Sequence, residues 1–200
     1  MTQPPEWDSV YQPGQSPPWD IGRPQPAFTS LADKGLLGGR VLDAGCGTGE
    51  HALLAAAHGA DAVGVDVSPS AIGQARQNAA GRGRPARFEV ADALNLGQLG
   101  MTFDTVIDSG LFHVFDDEAR LRYVSSLASV LESGGTCYLL CFSDRQPGGM
   151  AHPRRVGQDE IVEAFSDGWT VTDITADTFT INRNAVPTTA QAWLATIHRL

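Results

Sequence analysis

Hydrophobic residues along the chain fall into short runs, and these alternate with segments whose apolar positions recur at helical spacing. RVLDAG at 40–45 is an apolar run closed by glycines and predicts a buried strand. Residues 49–58 are rich in Ala and Leu with Gly59 as a C-terminal stop, which predicts a helix. DAVGVDV at 61–67 predicts a second strand. Ser68-Pro69 then reads as an N-cap followed by proline at the first helical position. Ile72, Ala75 and Ala79 carry that helix's inner face. ARFEVADA at 86–93 and FDTVIDSG at 103–110 predict strands three and four. From 116 to 132 the positions Tyr123, Val124, Leu127, Val130 and Leu131 keep a 3.6-residue period, which predicts an amphipathic helix. TCYLLCFS at 136–143 predicts a fifth strand and 156–165 a helix. Stretches at 169–179 and 191–199 predict two final strands with no helix between them.

Strands alternating with helices at this spacing imply an α/β fold with a mostly parallel sheet wrapped on both faces. The last two strands, joined without a helix, predict an antiparallel hairpin at one edge. Residues 1–30, rich in Pro, Gly, Gln and Trp, read as a separate segment, and 31–200 as a single domain.

Composition narrows the classes of partner. The 200 residues carry a net charge of −9, with basic residues only in short clusters such as Arg82/Arg84/Arg87 and Arg154/Arg155. Nucleic acid is therefore not expected as a partner, because phosphate binding needs clustered Lys and Arg. No apolar run approaches the ~20 residues a membrane span needs, so no membrane association is expected. The first twenty residues lack both a basic start and an apolar stretch, as a signal peptide would not. Cys46, Cys137 and Cys141 have no disulfide-framework spacing, which points to a reducing cytoplasm. There is no Cys/His cluster of metal-ligand spacing, so no metal is expected. A monomer or weak homodimer is expected.

The first strand runs into Asp43-Ala44-Gly45-Cys46-Gly47-Thr48-Gly49, a D-x-G-x-G-x-G pattern. Gly45, Gly47 and Gly49 permit a tight strand-to-helix turn and close approach of a ligand to bare backbone. Pyrophosphate binders carry G-x-G-x-x-G, whereas here the third glycine comes one residue early and Asp43 would oppose a phosphate. An acid suits a ligand bearing an ammonium or a sulfonium, and the methionine end of S-adenosylmethionine brings both. Asp66, with Val67 beside it, ends the second strand 19 residues beyond Gly47. That is close to the ~20-residue offset at which an acid receives ribose hydroxyls. Ile72 is placed to pack on the adenine, and Asp92-Ala93 to take its amino group.

VLDAGCGTGEHALL, VGVDVSPSAI, FEVADAL and FDTVIDSGLFHVF resemble, in order, the successive motifs of class I S-adenosylmethionine-dependent methyltransferases. The resemblance implies a Rossmann-like, doubly wound, seven-stranded sheet ending in a β-hairpin, with S-adenosylhomocysteine as product. W-x-x-x-Y followed by P-P-W-D-I-G-R-P-Q-P is similar to the N-terminal segment of the thiopurine, thiol and halide methyltransferase branch. That similarity gives Trp7, Tyr11 and Trp19 contact with the cofactor, with Asp20 and Gly22 shaping the turn. Tyr11 stands where the plant halide and thiol enzymes carry Trp. Ring faces suit a sulfonium, which cannot donate a hydrogen bond; the alternative is that these aromatics only fill gaps in the core.

The expected acceptor is a small-molecule nucleophile: a thiol, a halide, or a phenol or hydroxyquinone oxygen, the alternative being a natural product or another O or N acceptor. Asp108-Ser109-Gly110-Leu111-Phe112-His113 enters the crevice at the C-terminal edge of the sheet. Asp108 and Ser109 are candidates to border the methionine, and His113 and Asp108 are the candidate catalytic groups, His113 being either a base or a satisfied structural histidine. Arg154 and Arg155, after the GGMAHP loop, either border the acceptor or are solvated. Cys46 reads as a small packing residue. Two other classes stay open: a nicotinamide-dependent oxidoreductase of the same fold, and a cofactor-binding module without turnover.

Overall fold

The computed structural model describes residues 4–12, 14, 17–148, 154–183 and 186–200. Seven strands form one sheet: β1 (Arg40–Ala44), β2 (Asp61–Asp66), β3 (Arg87–Val90), β4 (Phe103–Ser109), β5 (Leu131–Phe142), β6 (Trp169–Arg183) and β7 (Val186–Arg199). Their order is β3-β2-β1-β4-β5-β7-β6. The first five pair in parallel, whereas β7 lies antiparallel between β5 and β6. This is the doubly wound sheet with a C-terminal hairpin that the strand pattern predicts. The helices are α1 (Pro4–Ser9), α2 (Pro26–Asp33), α3 (Glu50–Ala57), α4 (Pro69–Arg82), α5 (Asp117–Ala128) and α6 (Gln158–Ala164).

Because successive strand residues point to opposite faces, the sheet feeds two cores. Val41, Ile107, Tyr138 and Leu140 pack against α2, α3 and α4. Leu42, Val106, Leu139 and Cys141 pack against α5 and α6. Ser68 caps α4 as its sequence predicts, its Oγ accepting from the Ala71 amide at 3.0 Å.

Several element bounds differ from the sequence pattern, β6 and β7 running longer than expected among them. Helix α5 stops at Ala128, and Leu131 already belongs to β5, paired with Phe103 at a bulge. Val130 and Leu131 keep the helical period by coincidence, since Val130 is buried from the turn that follows the helix and Leu131 from the start of β5. Val156 does not begin a helix but bridges to Ser143, and α6 starts at Gln158. β3 stops at Val90, because Asp92 caps a following 3-10 turn at Ala93–Leu99. Finally, α2 crosses the boundary drawn at residue 30 and buries Ala27, Phe28, Leu31 and Ala32. The chain thus joins the domain body at Pro26. Residues 149–153 of the glycine-rich loop before Arg154 lie outside the described residues.

Candidate active site

At the end of β1 the chain turns through Gly45-Cys46-Gly47-Thr48-Gly49 into α3, beside the point where connections switch direction between β1 and β4. Open sheets bind ligands at such a crevice. Gly47 and Gly49 hold φ of 52° and 86°, left-handed values that disfavour any side chain. Space excludes one as well: a Cβ on Gly47 would lie 2.9 Å from the Tyr11 hydroxyl, and one on Gly49 2.6 Å from the Phe88 ring. Cys46 is buried, and burial pushes its thiol up, which suits a packing residue and not a nucleophile.

Four aspartates lie along this edge in four different states. Asp43 is 1% exposed; its Oδ2 accepts from the Ala52 amide at 2.9 Å, and its Oδ1 has no partner among the described residues. Burial, with the charge of Asp66 adding to it, raises its carboxyl to about 7. Asp66 is half-buried and accepts from Gly47 N and Ser68 N, both at 2.9 Å, leaving further lone pairs on each oxygen. Asp92 is exposed, and both its oxygens are engaged locally, by Leu94 N and Asn95 Nδ2. Asp108 is fully buried and accepts from the Leu111 and Phe112 amides. It holds the turn after β4 and has no surface toward a substrate, which corrects its assignment to catalysis or cofactor contact.

His113 is corrected too. It is 5% exposed, and its Nδ1 accepts from the Phe142 amide at 3.1 Å. The ring proton therefore sits on Nε2. Burial, helped by the Arg120 charge, lowers His113 to about 3, far below what a base at neutral pH needs. Ile72 has no exposed surface and packs in the core beneath the site, so adenine cannot lie on it. Arg154 pairs with Asp117 and Glu160, and Arg155 donates to the Gly148 carbonyl. Neither is among the residues that line the recess beside the glycine loop.

The N-terminal segment crosses this edge as a strap fixed at both ends. At one end Asp8 sits over the first turn of α4, where backbone N–H groups lack helical partners. Its Oδ1 accepts from Ser68 Oγ at 2.6 Å and Ser70 N at 2.8 Å. These donors hold the Asp8 carboxyl below the usual range. Gln74 Nε2 donates to the Tyr11 carbonyl at 2.6 Å. Tyr11 is 5% exposed and receives a hydrogen bond from Trp19 Nε1 at 2.9 Å, and Trp7 meets Trp19 edge-on. Asp20 accepts from Gly22 N and from Thr48 Oγ1 in the glycine loop. At the other end Gln25 is buried against the open side of edge strand β6. Its Nε2 donates to Thr180 O at 2.9 Å and its Oε1 accepts from Thr180 N at 2.8 Å. One amide side chain thus stands in for a further strand.

Strap and loop enclose a recess with about 440 Å³ of empty space, its mouth included. The predicted residues Tyr11, Trp19, Gly45, Gly47 and Ser109 line it, whereas Trp7, Asp43 and Gly49 are not in the lining; Trp7 packs on Trp19. Asp66, Val67, Asp92 and Ala93 stand at the ends of β2 and β3, next along the same edge. Sequence reasoning did not anticipate Arg23, Gln25, His51 or Phe179 in the lining. Only Arg23 and Gln25 carry a local signal, lying within the G-R-P-Q-P run that resembles the strap of known enzymes. Among the described residues no group of His, Cys, Asp and Glu could hold a metal, and no helix is long and apolar enough to cross a membrane.

Residues 41–135 match the family described as a methyltransferase domain. The chain is 41% identical over 160 residues to the 2-heptyl-1-hydroxyquinolin-4(1H)-one methyltransferase of Mycobacteroides abscessus, covering 79% of this chain and 70% of that protein. This chain belongs to the S-adenosylmethionine-dependent methyltransferases. A solved structure described by the conversion of a disulfide bond into a thioacetal group during echinomycin biosynthesis aligns with this methyltransferase at a TM-score of 0.89 and 37% identity, covering 98% of this chain and 93% of that one. A probable thiol methyltransferase of Arabidopsis thaliana is 27% identical to the methyltransferase over 78% of this chain and 70% of its own length.

The cofactor of the methyltransferase is S-adenosylmethionine, and the residues present fit it. With Asp43 raised to about 7 and so part-ionised at neutral pH, and the Asp66 carboxylate beside it, the glycine loop is a cradle of negative sign at whose glycines no side chain intervenes. A cradle of that sign favours a sulfonium and an ammonium over a diphosphate.

Proposed function

We propose that this enzyme methylates a small, flat heteroaromatic hydroxyl, or a thiol, that ionises without help from the protein. The observation that carries the reading is that, among the described residues, no histidine, glutamate or tyrosine lining the recess is free to act as a base, while its one aspartate, Asp20, is held by Gly22 N and Thr48 Oγ1. His51 is lowered to about 4 by burial, with its Nε2 already accepting from Gln25 N. Glu50 is held by both guanidinium nitrogens of Arg82. Tyr11 has its phenol pushed up by burial and by the charge of Asp66, so it stays protonated. Each of these is closed to proton abstraction at neutral pH. An acceptor with an acidic hydroxyl or thiol needs no base.

The wall that Ser109 and Phe179 give the recess supports a planar acceptor. Phe179 meets Phe142 edge-on at 5.1 Å, and His113 packs against Phe142 at 4.8 Å. Ring faces favour offset or edge-on contact with an aromatic guest. The hydroxyquinolone enzyme carries such a substrate in its name, and the thiol enzyme supports the second reading.

When bound, S-adenosylmethionine supplies a methyl group on a sulfonium, which the acceptor removes by in-line displacement. Asp66 would hold the ribose hydroxyls, with Val67 beside them, and Asp92-Ala93 would border the adenine. Gly45, Gly47 and Ser109 would border the methionine, with Asp43 acting through its charge and not by contact. Trp7 braces Trp19, while Tyr11 and Trp19 exclude water and present ring faces to the sulfonium. Residues 1–25 serve as the lid and the remainder as the catalytic domain. Alignment of acceptor and methyl by this enclosure contributes on the order of 7–11 kcal/mol. We read the partner as a free small molecule, with no role for nucleic acid or membrane, and the protein as a cytoplasmic monomer or weak homodimer.

Methyl transfer to a panel of hydroxyquinolones, phenols and thiols of graded acidity tests this. Turnover should be highest for acceptors ionised at the assay pH. Equal turnover of weakly acidic alcohols would contradict the reading, since they need a base.

A further inference from the structure

We propose that Arg23 binds the carboxylate of the cofactor's methionine. The inference rests on reading the recess as the methionine half of the cofactor site. The methionine end bears a sulfonium, an ammonium and a carboxylate, and the acids along this edge suit only the first two. Among the described residues lining the recess, Arg23 is the single Lys or Arg. It makes no ion pair or hydrogen bond among the described residues, whereas Arg40, Arg82, Arg87, Arg120 and Arg154 are each paired with a carboxylate.

The backbone around Arg23 is fixed while its side chain is not. One residue before it, Gly22 sits at φ 66° in a turn closed by Asp20. Asp20 is itself tied to Thr48 of the glycine loop. Pro24 follows with its φ restricted, and then Gln25 is clamped to β6 and to His51. A guanidinium on such a bridge can meet a carboxylate with two parallel N–H···O bonds, a geometry that lysine cannot reproduce.

Two ligands separate this role from general damage to the pocket. S-adenosylhomocysteine carries the carboxylate; S-adenosyl-3-thiopropylamine keeps the adenosine, sulfur and amine but lacks it. In calorimetric titration, Arg23→Gln should weaken S-adenosylhomocysteine by about 10- to 100-fold, from loss of charge-assisted hydrogen bonds. Binding of the thiopropylamine should be unchanged, and Arg23→Lys should fall between. Unfolding temperature without ligand should match the wild type, because the side chain has no partner to lose among the described residues. Equal weakening of both ligands, or no weakening of either, would overturn the proposal. So would a loss confined to the acceptor's KM, which would make the acceptor the bound anion. Failure of the wild-type protein to bind S-adenosylhomocysteine would instead overturn the identity of the recess, and this role with it.

Discussion

Residues of one type do different work along this edge, and the difference lies in what each carboxylate touches. Asp66 holds two backbone amides yet stays half-open at the end of β2, whereas Asp43 and Asp108 are buried, so of these three Asp66 can still take two hydroxyls. Asp66→Ala should weaken S-adenosylhomocysteine about 100-fold, or roughly 2.7 kcal/mol, as measured by calorimetry. An affinity within threefold of wild type would remove the ribose from Asp66. His113 makes the opposite prediction. With Nδ1 bound to Phe142 N and the ring neutral, it is not the base, so His113→Gln should leave the pH midpoint of kcat/KM where the acceptor's own ionisation puts it. A midpoint that moves by a pH unit would restore His113 as the proton acceptor. Sequence alone could mark Asp66 by its offset from Gly47. It could not separate Asp108 from a catalytic acid, because the two amides that occupy Asp108 come from a turn whose shape no local pattern encodes.

At the scale of elements, strands and helices were legible wherever period and caps agree, as at Ser68-Pro69 and in the run from Arg40. They were misread where a turn residue and the strand residue after it happened to continue a period, as at Val130 and Leu131. The strap was legible as aromatic residues in a polar stretch, but its fastenings were not. Asp8 meets α4 60 residues away, and Gln25 meets β6 155 residues away. Contacts at such separation leave no spacing to read. Asp8→Ala should release the strap from α4 and speed dissociation of S-adenosylhomocysteine about tenfold in stopped-flow measurements. The unfolding temperature should stay within about 2 °C, since Asp8 lies on the surface of the fold. An unchanged off-rate would mean that the strap does not close the site.

For the molecule as a whole, the buried titratable groups set opposing pH slopes. Asp43 rises to about 7 and Asp108 to about 6 on folding, so each stabilises the fold most below the unfolded value near 3.8. That stabilisation is lost as pH rises through the folded values. His113 falls to about 3, so its neutral burial stabilises the fold above the unfolded value of 6.5 and ceases to as pH drops toward 3. Without cofactor, Asp43 should add about 2 kcal/mol of stability on going from pH 7 to pH 5, which offsets the histidine. Asp43→Asn keeps the acceptor for Ala52 N but lacks the proton, so its stability by urea unfolding should fall below the wild type's by that amount over the same interval. Parallel curves for the two proteins would show that Asp43 is ionised in the folded state.

On the proposed reading, the sign of charge at the glycine bend is the feature that selects S-adenosylmethionine over a dinucleotide. Titrating the purified protein side by side with S-adenosylmethionine and NADH tests this most directly. Saturable heat with S-adenosylmethionine and none with NADH is the predicted result. Tight NADH binding, with S-adenosylmethionine ignored, would contradict it.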